Sequence, residues 1–150
     1  MKRTVCGLLL VLVLAVSACG AGGEAAPQGA QDSLVVTDGT REKTYTVAEL
    51  EGLPVSESSF NEVGYVGVSL PTLLADAGFD PGTLRAVKAV AADGYGVNYD
   101  PALVQRSDVL VAYATAQGPL SADDGVFRMV LPGEEGKLNV RMLVRLEVSP

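Results

Sequence analysis

A short apolar strand bounded by glycines lies near the C-terminus of this chain, where the sequence reads Gly125-Val126-Phe127-Arg128-Met129-Val130-Leu131-Pro132-Gly133. The β-branched and large apolar residues from Val126 to Leu131 are typical of a buried strand. Proline cannot donate to a sheet ladder and Pro132-Gly133 is a turn signal, so we expect the strand to end there. Arg128 is the one charged residue inside it.

Segments on both sides of this stretch also predict short strands. Val109–Thr115 is a nearly continuous run of β-prone residues and predicts a central strand. Leu143–Val148 predicts the last strand, with Arg145 and Glu147 pointing outward. The other predicted strands are Leu34–Thr37, Lys43–Val47, Val55–Phe60, Tyr65–Val68, Arg85–Ala91 and Tyr95–Tyr99, with turns at Asp38-Gly39, Asp93-Gly94 and Gly118-Pro119.

Only short helices are predicted. Thr46 and Glu49 have the spacing of a capping box and predict a helix start. Leu70–Ala77 predicts a helix ended by Gly78, and Pro101–Gln105 predicts a single turn. Short strands with few helices indicate an α+β fold that is mostly β. The length of 150 residues is enough for one domain, which we expect to span residues 34–150.

The N-terminus has the features of an export signal. Lys2-Arg3 precedes an apolar run from Val5 to Val16, which is too short to span a bilayer. Val16-Ser17-Ala18-Cys19 then resembles the lipobox of bacterial lipoproteins. We expect residues 1–18 to be a signal peptide, Cys19 to carry the lipid, and residues 19–33 to be a flexible tether. The alternative is an ordinary secretory signal. The predicted location is the extracytoplasmic side of the cell membrane.

Composition excludes several classes of function. The net charge of −7 argues against nucleic acid and against electrostatic docking on anionic lipid. The chain has no His, and its two cysteines are Cys6 in the signal and Cys19. The predicted domain therefore lacks imidazole and thiolate, the commonest general base and the soft metal ligands. We predict no catalytic residue and no metal ligand.

Few side chains are candidates for chemistry. The acidic pairs Asp123-Asp124 and Glu134-Glu135 are expected to be solvated turn charges, because a cation site needs carboxylates that converge from several directions. The segment Gly64–Gly67 is too short a glycine pair to predict phosphate binding, and no serine lies in a nucleophile elbow. The basic cluster of Arg128, Lys137 and Arg141 could bind an anion, or could pair with nearby carboxylates.

The order of motifs resembles a known family. The sequence contains, in this order, Tyr65-Val66-Gly67-Val68-Ser69-Leu70, Ala92-Asp93-Gly94-Tyr95-Gly96, Val109-Leu110-Val111-Ala112-Tyr113, Gly118-Pro119-Leu120, Gly125–Gly133 and Val140-Arg141-Met142-Leu143. This series, over about Thr46 to Val148, resembles the molybdopterin-binding domain of the sulfite-oxidase-type oxidoreductases. The resemblance implies a barrel-like, mostly β fold with a molybdenum–pterin cofactor. It assigns cofactor or ligand contacts to Gly94, Tyr95, Arg128 and Arg141, and we add Lys137.

The chain also departs from that family's pattern. The resemblance implies a molybdenum-ligating cysteine between Ser56 and Asn61, where the chain has none, so Ser58 or Ser59 would have to replace it. The family's His-Gly-Gly-Pro segment corresponds to Asp123–Val126, and the tryptophan after its lysine corresponds to Met142. These departures favour a degenerate domain that has lost the cofactor, with molybdopterin retained only if the family's activity is retained.

Three functions follow as alternatives. The first is a non-catalytic module that binds a small anionic ligand or a protein partner. The second is a molybdenum-pterin oxidoreductase with an oxygen ligand in place of the cysteine. The third is a lipoprotein that docks on a membrane protein complex, with its membrane contact made through Cys19. The missing sulfur and imidazole groups favour a binding role over an enzyme.

Overall fold

The computed structural model of the protein describes residues 32–150. The predicted signal peptide, the lipidation site Cys19 and most of the predicted tether lie outside the described residues. Within residues 32–150, no helix is long and apolar enough to cross a membrane.

Across residues 32–150, ten strands form two five-stranded sheets. The first sheet has the order β2-β1-β10-β5-β6, in which β1 and β10 are parallel and the other neighbours are antiparallel. Its strands are β1 (Leu34–Thr37), β2 (Glu42–Tyr45), β5 (Ala86–Ala91), β6 (Gly96–Tyr99) and β10 (Leu143–Ser149).

The second sheet is antiparallel and is centred on one strand. Its strands are β3 (Ser56–Phe60), β4 (Val63–Ser69), β7 (Leu110–Thr115), β8 (Gly118–Pro119) and β9 (Arg128–Val130). Strand β7 pairs with β4 on one side and with β8 and β9 on the other, which confirms its predicted central position. The chain then passes from β9 in the second sheet to β10 in the first through residues 131–142, which we call the crossover segment.

Three short α-helices connect the strands. Helix α1 (Val47–Glu51) begins at the predicted capping box, in which Thr46 accepts from the Glu49 N–H and the Glu49 carboxylate accepts from the Thr46 N–H. Helix α2 (Leu70–Asp76) buries Leu73 and Leu74 as expected, and α3 (Pro101–Val104) is the predicted single turn. A 3-10 helix at Gly136–Leu138 lies in the crossover segment. The α+β, mostly β prediction is confirmed.

Aliphatic side chains fill most of the core. Leucine and valine dominate the larger of two buried clusters, and Tyr45, Tyr99 and Phe127 are its fully buried aromatic residues. Burial of such side chains is the main favourable contribution to folding.

Three predictions about strands differ from the structure. The predicted strand Lys43–Val47 ends at Tyr45 in β2, because Thr46 caps helix α1 and Val47 begins it. Gly118-Pro119, predicted as a turn, is the two-residue strand β8 opposite Ala114 and Thr115. The predicted strand Val126–Leu131 is shortened to β9, because Phe127 leaves the second sheet and its carbonyl accepts from the Leu143 N–H at the start of β10. The residues around Arg128 therefore join the two sheets.

Candidate functional site

A cavity of about 690 Å³ lies between the crossover segment and the β5–β6 turn. It contains three of the five predicted site residues, Tyr95, Lys137 and Arg141. A second cavity of about 510 Å³ is lined by Arg128 and again by Arg141. The two cavities also share Asp123, Gly136 and Asn139. The structure thus places Arg141 on both cavities, and separates Arg128 from Tyr95 and Lys137.

The β5–β6 turn presents Tyr95 to the first cavity. Gly94 has a positive φ of +88°, a conformation that favours glycine, and Asp93 accepts a hydrogen bond from the Tyr95 N–H. Tyr95 is 47% exposed, and its hydroxyl donates to the Lys137 carbonyl at 2.9 Å. Gly94 shapes the turn and is not among the residues that line either cavity.

Buried hydrogen bonds fix the path of the crossover segment. The Asn139 side chain accepts from the Leu131 N–H at 2.7 Å and donates to the Glu135 carbonyl at 3.2 Å. The Tyr99 hydroxyl donates to the Leu138 carbonyl at 2.6 Å. Because these partners hold residues on both sides of the 3-10 helix, the backbone that carries Lys137 and Arg141 is well constrained.

The cations of the first cavity differ in their partners. Lys137 Nζ lies 2.6 Å from a Glu135 carboxylate oxygen, and this hydrogen bond raises the pKa of Lys137 above its ordinary value. Both side chains are exposed, so the pair contributes little stability. Arg141 is exposed and has no ion-pair partner among residues 32–150. Arg141 is therefore the cavity cation that remains available to an external anion.

Arg128 is buried and already paired. Its Nη1 donates to Asp124 Oδ1 at 2.6 Å and to the Tyr65 hydroxyl at 2.8 Å, and its guanidinium carbon lies 4.6 Å from the centre of the Tyr65 ring. No buried side-chain nitrogen or oxygen in the described part of the chain lacks a hydrogen bond. Nη2 of Arg128 has no hydrogen-bond partner among residues 32–150, so this nitrogen must be accessible from the second cavity.

The expectation that Asp124 is a solvated turn charge was wrong. Asp124 is only 8% exposed, and its second carboxylate oxygen accepts from the Ser121 hydroxyl at 2.9 Å. Its neighbour Asp123 is exposed, as expected, and lines both cavities. In the other acidic pair, Glu134 contacts Arg106 at 2.7 Å. No group of three or more His, Cys, Asp or Glu within residues 32–150 is arranged to hold a metal ion.

Ser58 and Ser59 lie beside Tyr65, which lines the second cavity as well as theirs. They belong to β3, opposite Tyr65 and Gly64 of β4, and line a separate cavity of about 280 Å³. Neither serine lines the cavities that contain Arg128 and Arg141.

Sequence reasoning missed two features of the site. The sequence predicts Tyr65 only as part of a strand, a glycine pair and the first family motif, and its contact with Arg128 joins residues 63 positions apart, so no local pattern indicates that contact. Met142 has a positive φ of +51° and is 38% exposed at the edge of the first cavity. A methionine gives no sequence signal for such a conformation.

Comparisons with known proteins agree with this architecture. The chain is 28% identical to the mitochondrial sulfite oxidase of Drosophila melanogaster over 138 residues, which cover 85% of this chain and 24% of that protein. Its fold is similar to that of the sulfane dehydrogenase SoxCD from Paracoccus pantotrophus, with a TM-score of 0.67 and 23% sequence identity. That match covers 80% of this chain and 39% of the SoxCD chain.

This chain therefore spans well under half the length of both relatives. The similarity covers most of this chain, but most of the length of each relative has no counterpart in it. The sequence profile of the oxidoreductase molybdopterin binding domain matches residues 25–150, which is most of the chain. The chain belongs to the oxidoreductase molybdopterin binding domain family.

Proposed function

We propose that this chain is a membrane-anchored extracytoplasmic lipoprotein whose domain binds a small anionic ligand without molybdenum-dependent catalysis. One observation carries the proposal. Arg141 lines both cavities with no carboxylate partner among the described residues, whereas Arg128 is neutralised by Asp124. Tyr95 and Met142 add exposed apolar surface beside Arg141. A guanidinium next to apolar surface suits an organic anion.

The donor atoms of the domain do not fit a molybdenum centre. Its described residues contain no cysteine and no histidine. The serines that could replace the thiolate, Ser58 and Ser59, are not among the residues that line the cavities of Arg128 and Arg141. Asp124 also places a carboxylate against Arg128, the residue that the family resemblance assigns to the cofactor. These observations support a domain that shares the family's fold without its redox chemistry.

Backbone strain at the cavity supports a ligand site. A non-glycine residue with positive φ costs about 1 to 2 kcal/mol and persists where the surrounding structure holds it. Met142 is held in this way, because its N–H donates to the Asp124 carbonyl and its own carbonyl accepts from the Ala92 N–H. Strained residues are concentrated at functional sites, and this one lies directly after Arg141.

The membrane anchor is proposed from the sequence around Cys19. The net charge of −7 does not favour binding to anionic lipid, so attachment would depend on the acylated cysteine. A lipid anchor concentrates the domain at the membrane surface, where its ligand or a membrane-protein partner would be found.

The test is composition analysis of the full chain purified in detergent from its native membrane. We expect native mass spectrometry to show acylated Cys19 and a retained small anion, and elemental analysis to show no stoichiometric molybdenum. Arg141→Met should lose the retained anion. Arg85→Met is the matched control, because Arg85 is also exposed without an ion-pair partner in residues 32–150 but lines neither cavity. Retention by Arg141→Met would contradict the proposal.

Family membership favours one second candidate, a molybdenum-pterin oxidoreductase with a non-cysteine ligand. Under this alternative the purified protein would contain one molybdenum and one pterin per chain. Replacing both Ser58 and Ser59 by alanine would then release the metal. Purification from a host that makes the cofactor distinguishes the candidates, because the first predicts metal-free protein from that host.

A further inference from the structure

We propose that Arg128 is an anion-binding group whose ligand in this chain is the Asp124 carboxylate, so that Asp124 takes the place on its guanidinium that an external carboxylate or other small oxyanion would occupy. The proposal concerns Arg128 and the cavity of about 510 Å³. It does not depend on ligand binding at Arg141, which is unchanged in every variant described below.

The guanidinium is held in place without help from Asp124. The Tyr65 hydroxyl accepts from Nη1 at 2.8 Å and the Tyr65 ring lies under the guanidinium. Nε also donates to the Met129 carbonyl at 3.4 Å. Since Arg128 is part of the β7–β9 ladder, its backbone is fixed as well. A cation positioned by groups other than its counter-ion is preorganised to receive an anion.

The Asp124 carboxylate is not needed to shape its own loop. The Asp124 N–H donates to the Ser121 carbonyl, and the Asp124 carbonyl accepts from the Met142 N–H at 2.7 Å. These backbone bonds define the turn before Gly125, whose φ is +76°. The carboxylate itself contacts Arg128 and the Ser121 hydroxyl. Its main effect is therefore to satisfy the buried cation.

Burial makes this pairing selective. The side chains of Arg128 and Asp124 are 6% and 12% exposed, so an uncompensated charge on either would be poorly solvated. An external anion can take the Nη1 donor of Arg128 only by displacing a carboxylate that is attached to the same chain four residues away. An intramolecular ligand of this kind has a high effective concentration, which a dilute external anion cannot match.

Chemical rescue tests the proposal. Asp124→Ala removes the carboxylate and leaves a space beside Arg128 that formate can fill. The midpoint of thermal unfolding of the full chain in detergent would be measured in sodium formate and in sodium chloride of equal ionic strength. We expect formate to raise the midpoint of Asp124→Ala by about 4 °C relative to chloride. The wild-type protein should show no difference between the two salts.

Two further variants control for other effects. Asp123→Ala removes the adjacent carboxylate, which also lines the second cavity, and should show no formate effect. Asp123 is exposed and has no ion-pair partner in the described part of the chain. The double variant Asp124→Ala/Arg128→Met lacks the cation and should also show none. Asp124→Asn keeps the side-chain volume, so we expect it to fold without responding to formate.

Each outcome decides the proposal. A formate effect confined to Asp124→Ala supports it, including the case in which this variant folds only when formate is present. The proposal is overturned if formate stabilises the wild-type protein equally, or if the double variant keeps the effect. It is also overturned if Asp124→Ala gains nothing from formate, whether or not the variant is folded in chloride, because a preorganised Arg128 would then be absent.

Discussion

The buried hydroxyl of Tyr99 donates a 2.6 Å hydrogen bond to the carbonyl oxygen of Leu138, and this bond joins the β5–β6 hairpin to the crossover segment. Burial raises the pKa of Tyr99, so the phenol stays protonated and continues to donate at any pH near neutral. The hydrogen bond lies three residues before Arg141. It therefore helps to fix the position of the cation on which the proposed ligand site depends.

Tyr99→Phe tests this connection. The change removes only the donor, so we expect the free energy of unfolding to fall by about 1 kcal/mol, measured by urea denaturation. Tyr95→Phe is the matched control. The Tyr95 hydroxyl donates to the carbonyl of Lys137, the residue before Leu138, but it does so from an exposed position. There water can replace the bond, and the loss should be below about 0.5 kcal/mol. Equal losses in both variants would contradict the special role of Tyr99.

The backbone at Met142 gives a second prediction. Because φ is +51°, glycine should be favoured over alanine at this position by about 1 kcal/mol. Thermal unfolding of Met142→Gly and Met142→Ala measures the difference. Val63 provides the control, since it is similarly exposed but lies in β4 with ordinary strand geometry. At Val63 we expect the alanine variant to be more stable than the glycine variant. If alanine is also the more stable variant at position 142, Met142 is not strained.

Local patterns predicted much of this fold. The capping box of Thr46 and Glu49 is a contact between residues three apart, and the alternation of exposed and buried residues in β5 follows from strand geometry. Such features depend on neighbouring residues alone. The fold class and the central position of β7 could therefore be inferred before any tertiary contact was known.

The ion pair between Asp124 and Arg128 at the candidate site could not be predicted from local patterns. Asp124 and Arg128 are four residues apart, a spacing that brings side chains together in a helix, but here Gly125 turns the chain into a strand. Whether the two side chains meet depends on that turn and on Tyr65, which comes from another strand. The sequence identified Arg128 as a candidate, but its partner depends on tertiary structure.

Gly67 yields a prediction about the second sheet. A Cβ atom at this position would lie 2.1 Å from the Val111 carbonyl oxygen and 2.6 Å from the Ala112 Cα, and neither backbone atom can move without disturbing β7. We expect Gly67→Ala to lower the free energy of unfolding by about 3 kcal/mol or more. At Gly64 in the same strand, a Cβ would lie 3.2 Å from the Ala116 side chain. Gly64→Ala should cost less than about 1 kcal/mol, and a similar loss for both would disprove the close approach of β4 and β7.

A polar cluster connects β2 to the end of α2 and makes stability depend on pH. Lys43 Nζ and the Tyr45 hydroxyl donate to the same oxygen of Asp76, at 2.6 and 2.7 Å. The bond from Lys43, followed by the bond from Tyr45, holds the pKa of Asp76 below its ordinary value of 3.8. The carboxylate therefore stabilises the folded state above the unfolded pKa, and this contribution is lost as the pH falls through the folded pKa.

Asp76→Asn tests the direction of this effect. At pH 7 we expect the variant to be about 1 kcal/mol less stable than the wild-type protein, a modest value because the Lys43 and Asp76 side chains are 45% and 32% exposed. The difference should narrow as the pH falls below about 4, where Asp76 of the unfolded chain becomes protonated, and should continue to narrow until the folded carboxylate, with its lower pKa, is protonated as well. Urea denaturation at a series of pH values measures it. The same comparison in a Lys43→Met background should give a smaller difference at pH 7, because the main donor is gone. A difference that stays constant from pH 7 to pH 2 would show that Asp76 contributes through shape and not through its charge.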